Sequence, residues 1–213
     1  MLLKRFITTT LSLLLLSAAF TQVQAAAFSQ SQAGEYQAGI DYQEVSGFPE
    51  VEGPVVREFF SYNCPHCYNQ DPQMNATAEL LKGKVAFERT PVGAGRKDWI
   101  MSQKAYYIAK TFKVVNQVHR EIFSRIHEQH LPFQRDEDLL SFFEQQGVAR
   151  EDVEKVLSSA DLKLALSNYD SQTQLSGISG VPSLLVNGKY LIVNKPKDAQ
   201  GLAKFIVYLT ELP

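Results

Sequence analysis

The sequence predicts an α/β protein in which a small domain of strands and helices is interrupted by an all-helical insert. Strand patterns flank a helical pattern within residues 55–92, and a strong hairpin signal returns only at residues 183–193. Between these two regions the apolar residues recur at helical spacing. A chain whose strands stop and then resume after a run of helices is best explained by one sheet domain that contains an insertion.

The first 25 residues have the pattern of a secretory signal peptide. Two basic residues precede an apolar run over residues 6–20, and Val23-Gln24-Ala25 supplies a small-x-Ala cleavage pattern. A membrane-spanning helix requires about 20 apolar residues, and three threonines interrupt this run. We therefore predict residues 1–25 to be a signal peptide and the mature chain to begin near Ala26.

Composition argues against binding of nucleic acid. Removal of residues 1–25 leaves 19 basic and 23 acidic residues, a net charge of −4, whereas nucleic acid requires a concentrated basic surface. The remaining chain of about 188 residues is long enough to bury a core without disulfide staples.

A polar arm leads into the first strand of the sheet domain. Residues 26–50 are polar and contain glycines, with at most a short strand near residues 42–45. Val55–Phe60 reads as a strand, and Gly53-Pro54 bounds it in front. The first clear strand of the chain is therefore expected at Val55.

A helix and a second strand follow. Apolar residues at helical spacing predict a helix over Tyr68–Lys82, kinked by Pro72 and ended by Gly83. Residues 84–92 alternate as a strand does. Strand, helix and strand together make a βαβ unit whose two cysteines lie where the helix begins.

Residues 95–169 are predicted to form the helical insert domain. Apolar residues there recur at helical spacing, and acidic residues stand at the start of the third predicted helix. The predicted helices centre on residues 99–109, 115–126, 139–143, 152–157 and 161–175.

The strand pattern then returns and completes the sheet domain. Two apolar runs within residues 183–193 flank Asn187-Gly188, a pair that suits a type I′ hairpin turn. A last helix is expected at about residues 198–209. Residues 26–94 and 170–213 would thus form one discontinuous α/β domain.

Cys64 and Cys67, the only cysteines of the chain, lie in the stretch FFSYNCPHCYNQ. Pro65 suits the first helical position, because its missing N–H would be unpaired there. Cys64 then lies at a helix N-terminus, where free N–H groups and the helix dipole favour a thiolate and lower the pKa into a range of roughly 3.5–7.5. His66 adds a polar, sometimes positive group, whereas Cys67 should be more buried and more weakly acidic.

This asymmetry favours a redox-active pair over the alternatives. A stabilised thiolate favours the dithiol form and makes the disulfide a strong oxidant. A structural bridge that closes so small a ring removes little entropy from the unfolded chain, which makes that role a poor explanation.

A metal site is the remaining alternative for two cysteines. Structural zinc requires four ligands, and the chain has no second cysteine pair. His119, His127 and His130 lie in the predicted insert, and HEQH at 127–130 lacks the HExxH spacing. We predict surface or packing roles for these histidines, no metal, and no dissociable cofactor, because the electrons would reside on the two sulfurs.

REFFSYNCPHCY, followed over a hundred residues later by GVPSLLVNGKY, resembles the DsbA family, the periplasmic thiol:disulfide oxidoreductases of Gram-negative bacteria. A low thiolate pKa and an oxidising disulfide are known properties of that family. The resemblance covers essentially the mature chain. It implies a thioredoxin-like fold with a helical insert, and a location in the periplasm.

The resemblance also implies roles for individual residues. Cys64 would be the exposed cysteine that is attacked and Cys67 the buried resolving one, with Pro65 and His66 tuning the pair. Val181-Pro182 matches a loop whose proline is cis and faces the disulfide. In the family, the backbone before this proline pairs with an extended client peptide, so Val181, Pro182 and His66 are candidate substrate-binding residues.

Glu58 matches a buried acid beneath the active site of that family. It could help to move the proton of Cys67 as mixed disulfides form and resolve, with Arg89 as its partner. Without the resemblance, a glutamate in a strand lies as readily on a solvated face. By default we assign Tyr62 and Tyr68 to the core. The alternative is that they line the surface that binds the client, because they flank the cysteines.

The function implied is that of a secreted disulfide donor. It would pass its disulfide to unfolded or folding secreted proteins with free cysteines, through a mixed disulfide on Cys64. A DsbB-like, quinone-linked membrane protein would reoxidise it, and we expect a monomer.

Two other functions stay open at this point. A periplasmic disulfide isomerase or reductase typically dimerises through an added N-terminal domain, for which residues 26–50 are too short. A non-catalytic peptide or metal carrier on a thioredoxin-like frame is the other alternative.

Overall fold

A computed structural model describes residues 35–50 and 53–213. The predicted signal peptide, residues 1–25, lies outside them. The described residues form five strands and seven helices. The strands are β1 (Tyr42–Glu44), β2 (Val55–Phe60), β3 (Ala86–Pro91), β4 (Ser183–Val186) and β5 (Tyr190–Ile192). The helices are α1 (Pro65–Leu81), α2 (Lys97–Thr111), α3 (Val115–His127), α4 (Asp136–Gln145), α5 (Arg150–Leu157), α6 (Ala160–Leu175) and α7 (Ala199–Thr210).

The strands form one mixed sheet in the order β1-β5-β4-β2-β3. The crossover through α1 makes β2 and β3 parallel, while the other neighbouring pairs are antiparallel. The turn between β4 and β5 consists of Asn187 and Gly188 at φ +50° and +66°, and the Lys189 N–H donates to the Val186 carbonyl at 3.0 Å. Two residues with positive φ are what a type I′ turn requires, so the hairpin prediction is confirmed.

Two large apolar clusters and a smaller one fill the described part of the molecule, and the cysteines belong to the second large cluster. The first cluster lies between the sheet and helices α1 and α7. Its members include Val56, Met74, Leu184, Phe205 and Leu209. The second joins the end of β2 to the helices of the insert and contains both cysteines. Its members include Phe60, Tyr106, Phe123, Leu139 and Phe143. The cysteine pair therefore lies where the sheet and the insert meet.

The predicted elements are present, with shifts at their ends. Helix α1 begins at Pro65, which confirms the prediction of Pro65 at the first helical position and lies three residues before the apolar pattern that starts at Tyr68. It continues through Pro72 and ends at Leu81, and Gly83 follows at φ +75°. The predicted domain boundary at residues 169 and 170 falls inside α6, and the domain bounds themselves stay a prediction. Within residues 35–50 and 53–213, no helix combines the length and the apolar character that crossing a bilayer requires.

Candidate active site

The cysteines lie on the segment that connects β2 to α1. Cys64 is the N-cap of α1 in an extended conformation (φ −91°, ψ 118°), and Pro65 is the first helical residue. The Cys64 N–H donates to the Ser61 carbonyl at 3.1 Å, and the Cys64 carbonyl accepts from the Tyr68 N–H at 3.1 Å. Cys64 therefore stands at the positive end of a 17-residue helix.

The two sulfurs have opposite acid–base character in the dithiol form, in which both cysteines are free. The Cys67 thiol, and then the backbone N–H groups of Cys67 and His66, lower the pKa of Cys64 to about 6 in spite of its burial. The hydrogen bond to Cys64 and burial raise the pKa of Cys67 well above that of a free thiol. The pair therefore carries its negative charge on Cys64 as a thiolate, while Cys67 stays a neutral thiol.

Cys64 is less exposed than predicted. Only 5% of its surface is accessible, against 1% for Cys67, so the expectation of an exposed Cys64 is corrected. The Cys64 sulfur donates to the Val181 carbonyl oxygen at 3.5 Å, so the loop before β4 lies over it. Pro65 and His66 beside it are exposed, and the ring of His66 adds a smaller effect that lowers the pKa of Cys64.

Sheet pairing brings the Val181-Pro182 loop to the cysteines. Strand β4 lies antiparallel to β2, with Ser183 opposite Phe59. The residues just before β4 therefore lie beside the residues just after β2. The Val181–Pro182 peptide bond is cis, as the resemblance implied.

Glu58 is buried, and Arg89 is its partner. Only 4% of Glu58 is exposed, so a solvated position for it is excluded. The two residues lie opposite each other in neighbouring strands, and the Arg89 Nε donates to Glu58 Oε2 at 2.8 Å. Burial works to lower the pKa of Arg89, but attraction to Glu58 outweighs it and the pKa is raised. The Glu58 charge is also among the influences that raise the pKa of Cys67.

Two histidines of α3 hold the segment around the cysteines. The His127 Nε2 donates to the Tyr62 carbonyl at 2.8 Å, and the ring of His127 stacks on Tyr68 at 4.8 Å between centroids. His119 bonds to the Tyr62 hydroxyl through Nδ1 at 2.7 Å and to Asp71 through Nε2 at 2.9 Å. Tyr62 is fully buried, which supports its default assignment to the core.

Some residues that position the site carried no sequence signal. Asn63 bonds through its side chain to Asp98 and Ser102 of helix α2, and Lys195 bonds to the carbonyl oxygen of Pro182. These contacts join residues distant in sequence, so no local pattern could have revealed them. Within the described part of the chain, no three His, Cys, Asp or Glu side chains are grouped so that they could hold a metal ion.

Comparison with known families matches this architecture. The family described as "DSBA-like thioredoxin domain" matches residues 85–206. The thiol:disulfide interchange protein DsbA of Pseudomonas syringae pv. tomato is 30% identical over 180 residues, which cover 83% of this chain and 84% of that protein. The protein of the same name from Azotobacter vinelandii is 31% identical over 155 residues, covering 71% and 72%.

Solved structures agree with the sequence matches. A crystal structure of Pseudomonas aeruginosa DsbA superposes with a TM-score of 0.75 at 28% identity and covers 84% of this chain and 95% of that one. A cysteine-to-serine variant of Proteus mirabilis DsbA, with a non-covalently bound peptide PWATCDS, has a TM-score of 0.68 at 26% identity. It covers 83% of this chain and 99% of that one. The thioredoxin fold with a helical insert is therefore shown.

Proposed function

This chain belongs to the DsbA family, and from that premise we propose that it is a thiol:disulfide oxidoreductase that donates its Cys64–Cys67 disulfide to client proteins. The observation that carries the proposal is the unequal pair of sulfurs at the start of α1. The pKa of Cys64 is lowered to about 6, while the pKa of Cys67 is raised. Stabilising the Cys64 thiolate favours the reduced form, so the disulfide is a strong oxidant.

The exchange proceeds in two displacements. A client thiolate attacks the Cys64 sulfur, the bond between Cys64 and Cys67 breaks, and Cys67 leaves with the electron pair and takes up a proton. A second client thiolate then attacks the client sulfur of the mixed disulfide, and Cys64 leaves as a thiolate. The client dithiol loses two electrons and two protons. The enzyme gains both electrons and one proton, on Cys67, while the second proton passes to the solvent and Cys64 remains a thiolate. The low pKa of Cys64 makes it the better leaving group in the second displacement.

Glu58 serves in this scheme as the proton carrier for Cys67. It is buried and ion-paired with Arg89 in the strand that leads to the cysteines, and its charge acts on the Cys67 thiol. Cys67 gains a proton in the first displacement and loses one in the reverse reaction, and a carboxylate in this place can supply or accept that proton through water. Arginine retains its charge throughout, unlike a buried lysine.

Client peptides bind along the Val181-Pro182 loop next to Cys64, and His66, which is exposed beside Cys64, contacts them as well. Val181 is partly exposed, and its carbonyl lies against the Cys64 sulfur. An extended peptide that pairs with this backbone would bring its cysteine to Cys64. The peptide complex of the Proteus mirabilis relative supports this kind of binding.

The setting of the reaction follows from the same premise. The protein acts in the periplasm as a monomer, on unfolded or folding secreted proteins with free cysteines. A DsbB-like, quinone-linked membrane protein accepts the two electrons of the dithiol and restores the disulfide. The two sulfurs carry the electrons, so the exchange requires no dissociable cofactor.

The experiment that tests the proposal uses the oxidised protein and a reduced peptide with two cysteines. Wild-type protein should convert the peptide to its disulfide, and Cys64→Ser should abolish the conversion. Cys67→Ser, in which nothing can resolve the mixed disulfide internally, should accumulate long-lived mixed disulfides on mixing with an oxidised client. If Cys67→Ser accumulates none, the roles of the two cysteines are assigned wrongly.

The same assay separates the alternative functions. An isomerase would reshuffle a client with incorrect disulfides faster than it oxidises a reduced one. A carrier would retain peptide or metal in stoichiometric amount without turnover, and that result would overturn the proposal.

A further inference from the structure

Lys195, between β5 and α7, lies behind the loop that covers Cys64. Its ammonium group donates to the carbonyl oxygen of Pro182 at 3.0 Å and to Oε1 of Gln70 at 3.0 Å. Gln70 belongs to helix α1, which starts at the cysteines. One side chain therefore joins the loop over Cys64 to the helix that Cys64 caps.

The segment around Lys195 is held against the same helix by a second contact. The Gln73 Nε2 of α1 donates to the carbonyl oxygen of Pro196 at 2.8 Å. With Lys195 bonded to Gln70, two successive residues of the segment are thus fixed to α1 one helical turn apart. The position of the ammonium group relative to the cysteines is therefore set by the fold.

The charge of Lys195 is not neutralised by a carboxylate. Within the described part of the chain, no carboxylate lies within salt-bridge distance of its ammonium group, and both its acceptors are uncharged oxygens. Burial lowers the pKa of Lys195, while attraction to Glu58, Cys67 and Cys64 works against this. The Glu58 carboxylate and the Cys64 thiolate are accordingly the negative groups that attract its ammonium group, while Cys67 is a neutral thiol.

We propose that Lys195 is a positioning residue for disulfide exchange, which holds the Val181-Pro182 loop in place over Cys64 and stabilises the Cys64 thiolate with its charge. This inference rests on the proposed function and extends it to a residue outside the CPHC segment. A cation near a partly buried thiolate favours the charged form. It therefore stabilises the dithiol and makes the disulfide a stronger oxidant.

The test compares three substitutions in the full protein. Lys195→Met removes the charge and both hydrogen bonds, and Lys195→Arg retains the charge. Lys197→Met is the matched control, because Lys197 lies two residues further along, is exposed, and makes no hydrogen bond or ion pair among the described side chains. Circular dichroism establishes that each variant is folded, and Lys195→Gln replaces Lys195→Met if the latter does not fold.

Two readouts report on the charge. The ultraviolet absorbance of the thiolate, followed against pH, measures the pKa of Cys64 in the dithiol form. Equilibration with glutathione, in which two reduced glutathione molecules convert the protein disulfide to the dithiol and form one oxidised glutathione, measures oxidising strength. A one-unit change in pKa corresponds to a factor of ten in equilibrium constant.

We expect Lys195→Met to raise the pKa of Cys64 and to lower the equilibrium constant for reduction by about threefold to tenfold. Lys195→Arg should stay within about twofold of wild type, and Lys197→Met should leave both readouts unchanged. Wild-type values in Lys195→Met would overturn the inference. So would equal changes in Lys195→Met and Lys197→Met, or in Lys195→Met and Lys195→Arg.

These measurements need no client, so failure of the inference can be told apart from failure of the proposed function. If the wild-type protein fails to oxidise a reduced peptide, the proposed function is wrong whatever Lys195 does. If wild-type protein oxidises the peptide but Lys195→Met retains the wild-type pKa of Cys64, only the inference about Lys195 fails.

Discussion

At the residue scale, two side chains of the same type acquire opposite properties within one helical turn. Cys64 accepts hydrogen bonds from the Cys67 thiol and from backbone N–H groups at the helix start. Cys67 donates its proton to that hydrogen bond and is shielded from solvent. The difference in pKa arises first from the hydrogen bond between the two sulfurs and then from burial and the free N–H groups at the helix start. Its direction was predictable because the spacing of the two cysteines at a helix start is a local feature of the sequence. Local sequence could not predict the burial of Cys64, because the Val181 carbonyl that lies against it comes from a residue more than a hundred positions away, and only the family resemblance placed that loop at the cysteines.

The lowered pKa of Cys64 predicts a pH dependence of stability. The pKa is about 6 in the folded dithiol form, against 9.0 for an unperturbed thiol. A lowered pKa stabilises the fold fully above the unfolded value, and this stabilisation is lost as pH falls through 6. Between pH 6 and 8, the free energy of unfolding of the dithiol form should rise by about 2 kcal/mol relative to the disulfide form.

Urea unfolding of both redox forms at pH 6, 7 and 8 measures this difference. Measurements stop at pH 8 because Cys67, whose pKa is raised, opposes the effect once the unfolded thiol ionises. Cys64→Ser has no disulfide form, and its free energy of unfolding should change between pH 6 and 8 only as much as that of the wild-type disulfide form. A difference between the two forms that stays constant from pH 6 to 8 would contradict the lowered pKa.

At the element scale, the β4–β5 hairpin holds the loop over the cysteines. Strand β4 lies between β2 and β5, and the Val181-Pro182 loop enters it directly. The hairpin was predictable because its signal is local: two apolar runs and an Asn-Gly pair. The continuation of α1 through Pro72 was predicted as well, from apolar residues at helical spacing on both sides of it. Packing of α1 against α7 and the sheet outweighs the local preference of proline.

Substitution of Gly188 by alanine tests how closely this hairpin packs against the segment at Phe48. Gly188 has φ +66°, and a Cβ atom built on it would overlap the backbone carbonyl of Phe48. Gly39 has φ +82° with open space around it and serves as the control. Gly39→Ala should cost about 1 kcal/mol of unfolding free energy, from backbone strain alone.

Gly188→Ala should cost at least about 2 kcal/mol more than Gly39→Ala, because backbone atoms must move to relieve the overlap. Thermal or urea unfolding of the two variants measures the difference. Equal losses in both variants would mean that the hairpin and the segment at Phe48 separate readily.

At the scale of the whole molecule, a buried polar chain joins the sheet domain to the helical insert. Tyr62 follows β2, Asp71 lies on α1, and His119 lies on α3 between them. None of the three is more than 6% exposed. Burial raises the pKa of Tyr62 well above its usual value, so its neutral hydroxyl donates to His119 and the ring N–H of His119 donates to Asp71. The sequence placed His119 in the insert but could not reveal its partners, because both lie in the other part of the fold.

His119→Leu should therefore destabilise the protein strongly. It leaves the Asp71 carboxylate buried with only the Asn75 amide as a side-chain hydrogen-bond donor, and removing the partner of a buried polar group typically costs about 1–3 kcal/mol, and more when that group is charged. Urea unfolding at pH 7 gives the loss. The double variant Asp71→Asn/His119→Leu, which buries no unpaired charge, should recover part of it. A loss below about 1 kcal/mol in the single variant would show that water reaches Asp71.

Strand β2 pairs with two strands that are synthesised at different times. Strand β3 (Ala86–Pro91) follows it closely in the sequence, whereas β4 (Ser183–Val186) follows only after the helical insert. A nascent chain that is made from its N-terminus thus carries β2 with one open edge until residues 183–186 have been made. Its two sulfurs meanwhile lack the Val181 carbonyl that lies against Cys64 in the finished protein. The residues that follow the insert close the sheet and cover the sulfur together, so the site is assembled only after the whole helical insert has been made.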